Sequence, residues 1–173
     1  PPGHSRAVLS VLSQAERIYI LGQGLASPLA QLLAHGLRSQ GLLAESPPPD
    51  AASLAVWLQG VGSSTAVVVI STNAEDQQLA NVLSYARERG ARAVALCCSP
   101  ISSCALAAEK ALSCLAGDRE RLPEISALAL IIDALLHCLA AQRTPEERSA
   151  LANELARARE RIACVRRRSG QQE

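Results

Sequence analysis

Residues 65–79 read Thr65-Ala-Val-Val-Val-Ile-Ser-Thr-Asn-Ala-Glu-Asp-Gln-Gln-Leu79. The β-branched run predicts a strand that is buried on both faces, and the polar turn after it opens a helix. At such a junction in a parallel sheet, backbone N–H groups converge at the carboxyl end of the strands, where they can hold an anion. We therefore expect any ligand site at residues 71–76. Glu75 and Asp76 place two carboxylates there, which conflicts with a phosphate ligand.

The composition is that of a globular protein. The chain has 173 residues, 49% of them apolar, and a formal net charge of +1, which indicates one soluble domain. With 2% aromatic residues and no phenylalanine, the core must be built from Leu, Ala, Val and Ile. No apolar run reaches the about 20 residues of a membrane helix and no signal segment opens the chain, so we expect a cytoplasmic protein without membrane contact. The start at Pro1, without Met, suggests an excised domain or a processed product.

The cysteine spacings contain no paired C-x-x-C ligand set. We therefore expect reduced, mostly buried thiols, and neither a metal site nor a disulfide framework. A nucleophilic role at the end of the fourth predicted strand would require a lowered thiol pKa. The six cysteines are Cys97, Cys98, Cys104, Cys114, Cys138 and Cys164.

Strand-like and helix-like periods alternate along the chain, which predicts a three-layer α/β/α sandwich with about five parallel strands. One domain is expected over 1–173, with a leading helix at 1–16, an α/β core at 17–142 and a C-terminal helix at 144–168. Strands are predicted at 17–21, 42–45, 66–70, 93–97 and 110–115. Helices are predicted from Gly24 to about residue 40, at 51–59 with Asp50 as its N-cap, at 75–89, briefly from Pro100, and at 124–141 as a buried helix.

The last helix has a clear start and an apolar seam. Thr144 is the predicted N-cap, Pro145 takes the first helical position, and acidic residues follow. The seam needs a partner, either the domain's own surface or a second copy of the chain, and we expect a homodimer. Its members follow a 4-3-4-3 spacing: Leu151, Leu155, Ala158, Ile162 and Val165.

The turn Gly22-Gln-Gly24-Leu-Ala-Ser27, with Glu45 about 20 residues later, imitates a dinucleotide-binding fingerprint. The imitation is incomplete, because Ser27 replaces the third glycine and the prolines after Glu45 would crowd a ribose. A turn that needs a flexible backbone is the stronger interpretation. We therefore expect no nicotinamide or flavin cofactor.

This first turn also resembles the opening of a sugar isomerase (SIS) domain, in which a strand is followed by Gly-x-Gly-x-Ser and a helix. The turn Ser71-Thr-Asn73-Ala74-Glu-Asp76 resembles the second signature of that family, Ser-x-Ser-Gly-x-Thr. The stretch Ile125-Ser-Ala-Leu-Ala-Leu-Ile-Ile-Asp-Ala-Leu135 resembles a helix near the end of SIS domains in RpiR-type bacterial transcription regulators. The resemblance covers nearly all of residues 5–165.

In the SIS family, serine and threonine hydroxyls and backbone amides hold the phosphate of a phosphosugar. The first-loop serine falls on Ala26 here, and in the second loop only the first hydroxyl is in register. The resemblance implies a sugar or sugar-phosphate ligand at the carboxyl ends of the strands, completed by a second subunit. The ligand-binding residues so implied are Gly24, Ser27, Ser71, Thr72, Asn73 and Asp76.

The departures from the family pattern weaken phosphate binding. Each lost hydroxyl contact is worth about 1.5–3 kcal/mol, and a carboxylate about 4 Å from a phosphate adds repulsion of about 4 kcal/mol at an effective dielectric near 20. Glu75 and Asp76 have a second interpretation, since acids in the first turn of a helix satisfy its dipole and free N–H groups. Both interpretations stay open at this point.

Residues for acid–base chemistry are few. His35 and His137 are the interior candidates, and Asp133 lies one helical turn before His137. A lone histidine at such positions is more often a core or interface residue. In the basic tail, interspersed glutamates and the lack of aromatic residues favour a solvated helix face over a nucleic-acid contact. The arginines concerned are Arg157, Arg159, Arg161, Arg166, Arg167 and Arg168.

Taken with the resemblance, these features predict a non-catalytic sensing and dimerisation domain of an RpiR-like regulator. DNA would be contacted only through a helix-turn-helix domain preceding Pro1. The alternative is a stand-alone aldose–ketose phosphosugar isomerase, which needs a base and a working phosphate loop. A third possibility is a structural dimer module without a ligand. We expect no catalytic residue, cofactor or metal ligand.

Overall fold

The computed structural model describes residues 2–114 and 121–169. Helices and strands alternate from the first helix to the helix that follows the fifth strand, as the periodicity predicts, and one more helix comes directly after it. The strands are β1 (Arg17–Gly22), β2 (Ala44–Glu45), β3 (Thr65–Ser71), β4 (Arg92–Cys97) and β5 (Lys110–Ser113). The helices are α1 (Pro2–Gln14), α2 (Ser27–Ser39), α3 (Ala51–Gln59), α4 (Gln77–Glu88), α5 (Ser103–Ala107), α6 (Arg121–Ala141) and α7 (Pro145–Ser169), with a 3₁₀ turn at Gly24–Ala26.

The five strands form one parallel sheet in the order β2-β1-β3-β4-β5. Gly22 at the end of β1 is in register with Ile70, and Ser71 at the end of β3 is in register with Cys97. The carboxyl ends of β1, β3 and β4 therefore lie side by side, and the loops that follow them face one another. This arrangement confirms the predicted sandwich of a parallel sheet between two helical layers.

Each face of the sheet carries its own apolar core. Alternate residues of β3 divide between the two cores, with Val68 on one face and Val67 and Val69 on the other. The first core includes buried residues of α1, α2 and α6, and the second includes buried residues of α3, α4 and α5. Every residue of β3 is buried, because helices cover the strand on both sides.

Several helix ends follow the predicted local chemistry. The Asp50 carboxylate accepts a hydrogen bond from Ser53 N at 2.9 Å and caps α3. Thr144 caps α7, since Glu147 N donates to Thr144 Oγ1 at 3.2 Å and Thr144 N donates to Glu147 Oε2 at 2.9 Å.

Other predicted boundaries are wrong by a few residues. Helix α4 begins at Gln77 rather than residue 75, because Asp76 is its N-cap. The short helix α5 begins at Ser103 behind a Ser102 cap, since Pro100 lies in the preceding turn. Strand β5 ends at Ser113, and residues 115–120 of the predicted strand end and charged loop lie outside the described residues.

The prediction that helix α6 is buried is wrong. One stripe packs against the sheet side of the domain and is buried: Leu128, Ile132, Leu135 and Leu139. The other side is open, and Leu130 is 70% exposed. An outer-layer helix contacts the sheet along one stripe only, whatever its composition. Over Glu124–Ala141 the helix is long and apolar enough to cross a membrane, a weak indication because core helices of soluble proteins can share these properties.

Helix α7 touches the rest of the chain mainly near its beginning. Arg143, just before it, donates from Nη2 to Gln40 O, and Leu151 lies against Gly41. Beyond that point the seam is open, since Leu155 is 39% and Ile162 is 66% exposed. Arg157, Arg159 and Arg161 are exposed as predicted. The side chains of Cys164, Val165 and Arg166–Arg168 lie outside the described residues.

Candidate functional site

A cleft of about 620 Å³ opens at the carboxyl end of the sheet, between the loop after β1 and the loop after β3. This is the position that parallel topology favours for a ligand, because the two loops diverge there. The first helical turn of α4 and Glu124 of α6 complete the wall. The residues that line the cleft are Gln23, Gly24, Leu25, Thr72, Asn73, Glu75, Asp76, Gln77 and Glu124.

The loop after β1 is shaped by two glycines. A Cβ on Gly22 would lie 2.5 Å from Ala26 O, so only glycine allows the chain to fold back this closely. Gly24 has a φ of +53°, in the left-handed region that glycine adopts readily. The resulting 3₁₀ turn brings the backbone of this loop to the edge of the cleft.

The loop after β3 uses its polar side chains to hold itself together. Ser71 Oγ donates to Asn73 O at 2.9 Å and lies 3.3 Å from Asp76 Oδ2, while Asn73 N donates to Ser71 Oγ at 3.2 Å. Asn73 Oδ1 accepts from Glu75 N at 3.1 Å. The backbone N–H groups of Asn73 and Glu75 are therefore already paired within the loop.

Asp76 acts as the N-cap of α4. Its Oδ1 accepts a hydrogen bond from Leu79 N at 3.2 Å, and its Oδ2 is the atom near Ser71 Oγ. This geometry favours the capping interpretation, because one carboxylate oxygen is paired with the first turn of α4 and the other lies beside the loop hydroxyl of Ser71. The carboxylate nevertheless lines the cleft and carries its charge there.

The six residues that the resemblance implied are not all at the cleft surface. Gly24, Thr72, Asn73 and Asp76 line the cleft. Ser71 is only 2% exposed beneath its loop, and Ser27 is half-buried at the start of α2. Within the described residues, both serines lie outside the cleft lining. Whether the six residues bind a ligand remains a prediction.

The sequence did not indicate the part of the wall formed by Glu124. This residue stands in the first turn of α6, about 50 residues after Asp76. Only the return of the chain across the sheet brings the two carboxylates to one cleft. Gln23 beside Gly24 could have been predicted, because it sits inside the Gly-x-Gly turn.

The charge of the described lining is negative. Glu75, Asp76 and Glu124 contribute three carboxylates, and the described lining residues contain no lysine, arginine or histidine. An anionic ligand would meet repulsion of about 4 kcal/mol for each carboxylate at 4 Å, at an effective dielectric near 20. The lining is therefore better suited to hydroxyl or amine groups than to a phosphate.

The prediction that His35 and His137 are interior residues is wrong. Both are exposed, and neither lines the cleft. His137 Nδ1 lies 3.4 Å from Asp133 Oδ1, but the two side chains are 78% and 68% exposed on the outer side of α6. An exposed pair of this kind stands in bulk solvent, outside the lining of the cleft.

The thiols near the end of the sheet are not activated nucleophiles. Burial raises the pKa of Cys97, and burial with the nearby Asp76 charge raises the pKa of Cys104 to about 12. Burial and the neighbouring Cys114 thiol raise the pKa of Cys98 to about 12. The prediction of mostly buried thiols holds only for Cys97 and Cys104 among the described cysteines, since Cys98 and Cys114 are half-buried and Cys138 is exposed.

The comparison with protein families gives one match. The model of the SIS domain matches residues 11–138, which include both loops of the cleft and the buried stripe of α6 up to Leu135. No curated protein matches the sequence.

Solved structures share the fold at low sequence identity. The sugar isomerase domain of the RpiR transcription factor from Sphaerobacter thermophilus has a TM-score of 0.82 at 24% identity, covering 91% of this chain and 87% of that chain. The Vibrio vulnificus NanR protein in complex with ManNAc-6P has a TM-score of 0.80 at 18% identity, covering 94% of this chain and 62% of that chain. A Methanococcus jannaschii protein with an inferred 3-hexulose-6-phosphate isomerase function has a TM-score of 0.69 at 12% identity, covering 86% and 84%.

Proposed function

Since the chain belongs to the SIS domain family, we propose that it is a non-catalytic sensing and dimerisation domain of an RpiR-like transcription regulator. Its ligand is a sugar or a sugar phosphate bound in the cleft between the loops after β1 and β3. The proposal includes a single domain over 1–173, a cytoplasmic location, no cofactor and no metal. DNA is contacted through a separate helix-turn-helix domain that precedes the sensor in such regulators.

One observation carries the non-catalytic part of the proposal. The loop after β3 closes on itself through Ser71, Asn73 and Asp76, so that the groups which the family uses on phosphate are engaged internally. An aldose–ketose isomerase depends on this loop to hold the sugar by its phosphate while a base moves the proton. A loop that binds phosphate weakly suits a sensor better than a catalyst.

The structural neighbours support a regulator without determining it. The RpiR domain and the NanR complex with ManNAc-6P show the same fold in transcription factors. In this proposal the ligand contacts Gly24, Thr72, Asn73 and Asp76 directly. Ser27 and Ser71 lie outside the cleft lining and support the two loops that contact the ligand. A second subunit completes the open side of the cleft.

The ligand preference can be tested by restoring the family pattern in the loop after β3. The double change Ala74→Gly with Asp76→Thr returns two family residues and removes one negative charge, while threonine keeps an N-cap for α4. Calorimetry with hexose and pentose phosphates should show little binding to the parent chain and measurable binding to the variant. At about 1.5–3 kcal/mol for one regained hydroxyl contact, the gain is roughly 10-fold or more.

Glu75→Gln is the matched control, because it removes the same charge from the same cleft without restoring a family residue. If Glu75→Gln raises the phosphosugar affinity as much as the double variant does, the effect is due to the removed charge alone. If the parent chain binds a phosphosugar tightly and the double change leaves the affinity as it was, the idea of a weakened phosphate loop is refuted. Failure of every neutral, amine-bearing and phosphorylated sugar to bind would favour a structural dimer module.

One feature of the cleft supports the isomerase alternative. Glu124 lines it, and a glutamate at hydrogen-bond distance from a bound sugar could serve as the base. Our proposal expects no turnover of aldose or ketose phosphates by the purified chain. Turnover that Glu124→Gln abolishes, while the exposed Glu154→Gln does not change it, would establish the isomerase instead.

A further inference from the structure

Strands β4 and β5 bring two cysteines next to each other at the end of the sheet. The last register pair of the two strands is Cys97 with Ser113, and Cys114 N donates to Cys97 O at 3.0 Å. Cys98 and Cys114 are therefore the next residues along neighbouring parallel strands. Their side chains point to the same face of the sheet, since both pack against the core formed with α1, α2 and α6.

The spacing of neighbouring strands suits a disulfide. Adjacent strands lie about 4.8 Å apart, within the range of about 4.4–6.8 Å that Cα atoms of a disulfide span. The Cys114 side chain turns back towards this strand end, since its Sγ lies 3.7 Å from Cys97 O, and Cys114 is among the neighbours that raise the pKa of Cys98. Both residues stand one position beyond the ordered ladder, where a small shift of the backbone breaks no further register pair.

Exposure distinguishes this pair from the other described thiols. Cys97 and Cys104 are fully buried on the opposite face, where an oxidant in solution does not reach them. Cys138 is exposed on α6, and the other described residues that line the cavity beside it include no second cysteine. Cys98 and Cys114 are both half-buried, so they combine contact with each other and access from solvent.

We propose that Cys98 and Cys114 are a redox-modified pair that closes a reversible disulfide between the ends of β4 and β5. Glu124, which lines the candidate cleft, is among the charges that raise the pKa of Cys98. The disulfide forms whether or not the cleft binds a sugar, so this inference stands apart from the proposed function. Closing it links the end of β4 covalently to the end of β5.

The reaction requires a hydroperoxide as the oxidant. The Cys114 thiolate attacks one peroxide oxygen, which breaks the O–O bond and forms a sulfenic acid. With hydrogen peroxide the leaving group is hydroxide, which takes up a proton and departs as one water. The Cys98 sulfur then attacks the Cys114 sulfur, loses its proton and displaces the hydroxyl as a second water. Two thiols are oxidised by two electrons and one peroxide is reduced. Because burial keeps Cys98 protonated, we expect the closing step to be slow.

Peptide mapping of the full chain after treatment with hydrogen peroxide tests the proposal. We expect a disulfide-linked pair of peptides that contains Cys98 and Cys114 and that disappears on reduction. The oxidised chain should melt roughly 5–10 °C higher, because the link closes a loop that holds α5. Cys98→Ser and Cys114→Ser should each abolish the link and the shift, whereas the control Cys138→Ser should keep both.

A second measurement probes proximity without oxidation. Phenylarsine oxide bridges two adjacent thiols and releases one water, so the reduced chain should retain it, and either serine variant should lose it. Each variant is first compared with the parent by its melting temperature in reductant, which separates loss of the pair from loss of the fold. A link through another cysteine, or arsenical retention by both serine variants, would overturn the assignment.

Discussion

Two single residues in the loops beside the cleft are constrained for different reasons. Gly22 is required by contact, because any side chain there meets the backbone of Ala26. Asp76 is held by hydrogen bonds, because it caps α4 and lies near Ser71. The first constraint shapes the wall, and the second lowers the capacity of the loop for an anion. Both act within a few residues of sequence.

Gly22→Ala should destabilise the fold at the loop after β1. The added methyl would lie 2.5 Å from Ala26 O. The backbone of Ala26 can move away from this methyl only if the 3₁₀ turn is disturbed. Overpacking of this kind costs about 1–3 kcal/mol, which lowers the melting temperature by roughly 3–10 °C in a chain of this size. Gly62→Ala is the matched control, since nothing lies within 4 Å of its added methyl. Equal melting temperatures for the two variants would remove the steric argument.

At the scale of elements, α6 and α7 differ from the helices that cover the sheet directly. Helix α6 has a buried stripe, and Gly36 of α2 lets Leu136 of α6 approach closely. Most described side chains of α7 are exposed, so this helix depends on its own capping and on contacts near its start. The Thr144 and Glu147 pair supplies the cap.

Thr144→Ala should fray the beginning of α7 without unfolding the sheet. The change removes the acceptor for Glu147 N and costs about 1 kcal/mol. Hydrogen exchange of the amides at 146–148 should become roughly 5-fold faster, while exchange in β3 stays the same. Ser149→Ala in the same helix is the control and should leave the exchange of these amides unchanged. Faster exchange in β3 as well would mean that α7 supports the core more than its contacts indicate.

For the whole molecule, α6 and α7 each leave large apolar side chains open to solvent. Leu130 on α6 and Leu155 and Ile162 on α7 are apolar and exposed in a single chain. Large apolar side chains that stay exposed are typical of an interface when they cluster into a patch. A second copy of the chain is the partner that we expect, with its interface on these two helices.

Sedimentation at micromolar concentration should therefore show two chains. The pair of changes Leu155→Asp and Ile162→Asp should weaken association, with each lost anchor worth about 2 kcal/mol, or roughly 30-fold. Both side chains are exposed in one chain, so the monomer should keep its melting temperature. Ile101→Asp is the control, because Ile101 is 80% exposed near the start of α5 and belongs to neither of the two helices. A parent chain that sediments as one copy would contradict the dimer.

The sequence by itself determined the features that depend on short spacings. The β-branched run at 66–70, the Asp50 and Thr144 caps and the glycine-rich turn each act through neighbours a few residues away, so their patterns can be read directly. The alternation of strands with helices along the chain was enough to predict the parallel sandwich, since it leaves few topologies open. The capping role of Asp76 was one of two interpretations, because the same carboxylate can cap a helix or face a ligand.

Only the tertiary structure decided which distant residues meet. Glu124 enters the cleft, and Cys98 meets Cys114, because the strand order sets neighbours that chain separation does not reveal. Composition predicted a buried α6, yet its outer side and His137 are exposed, since burial depends on which layers remain to cover a helix. Local patterns specify elements, whereas exposure and contact across the sheet follow from how the elements pack.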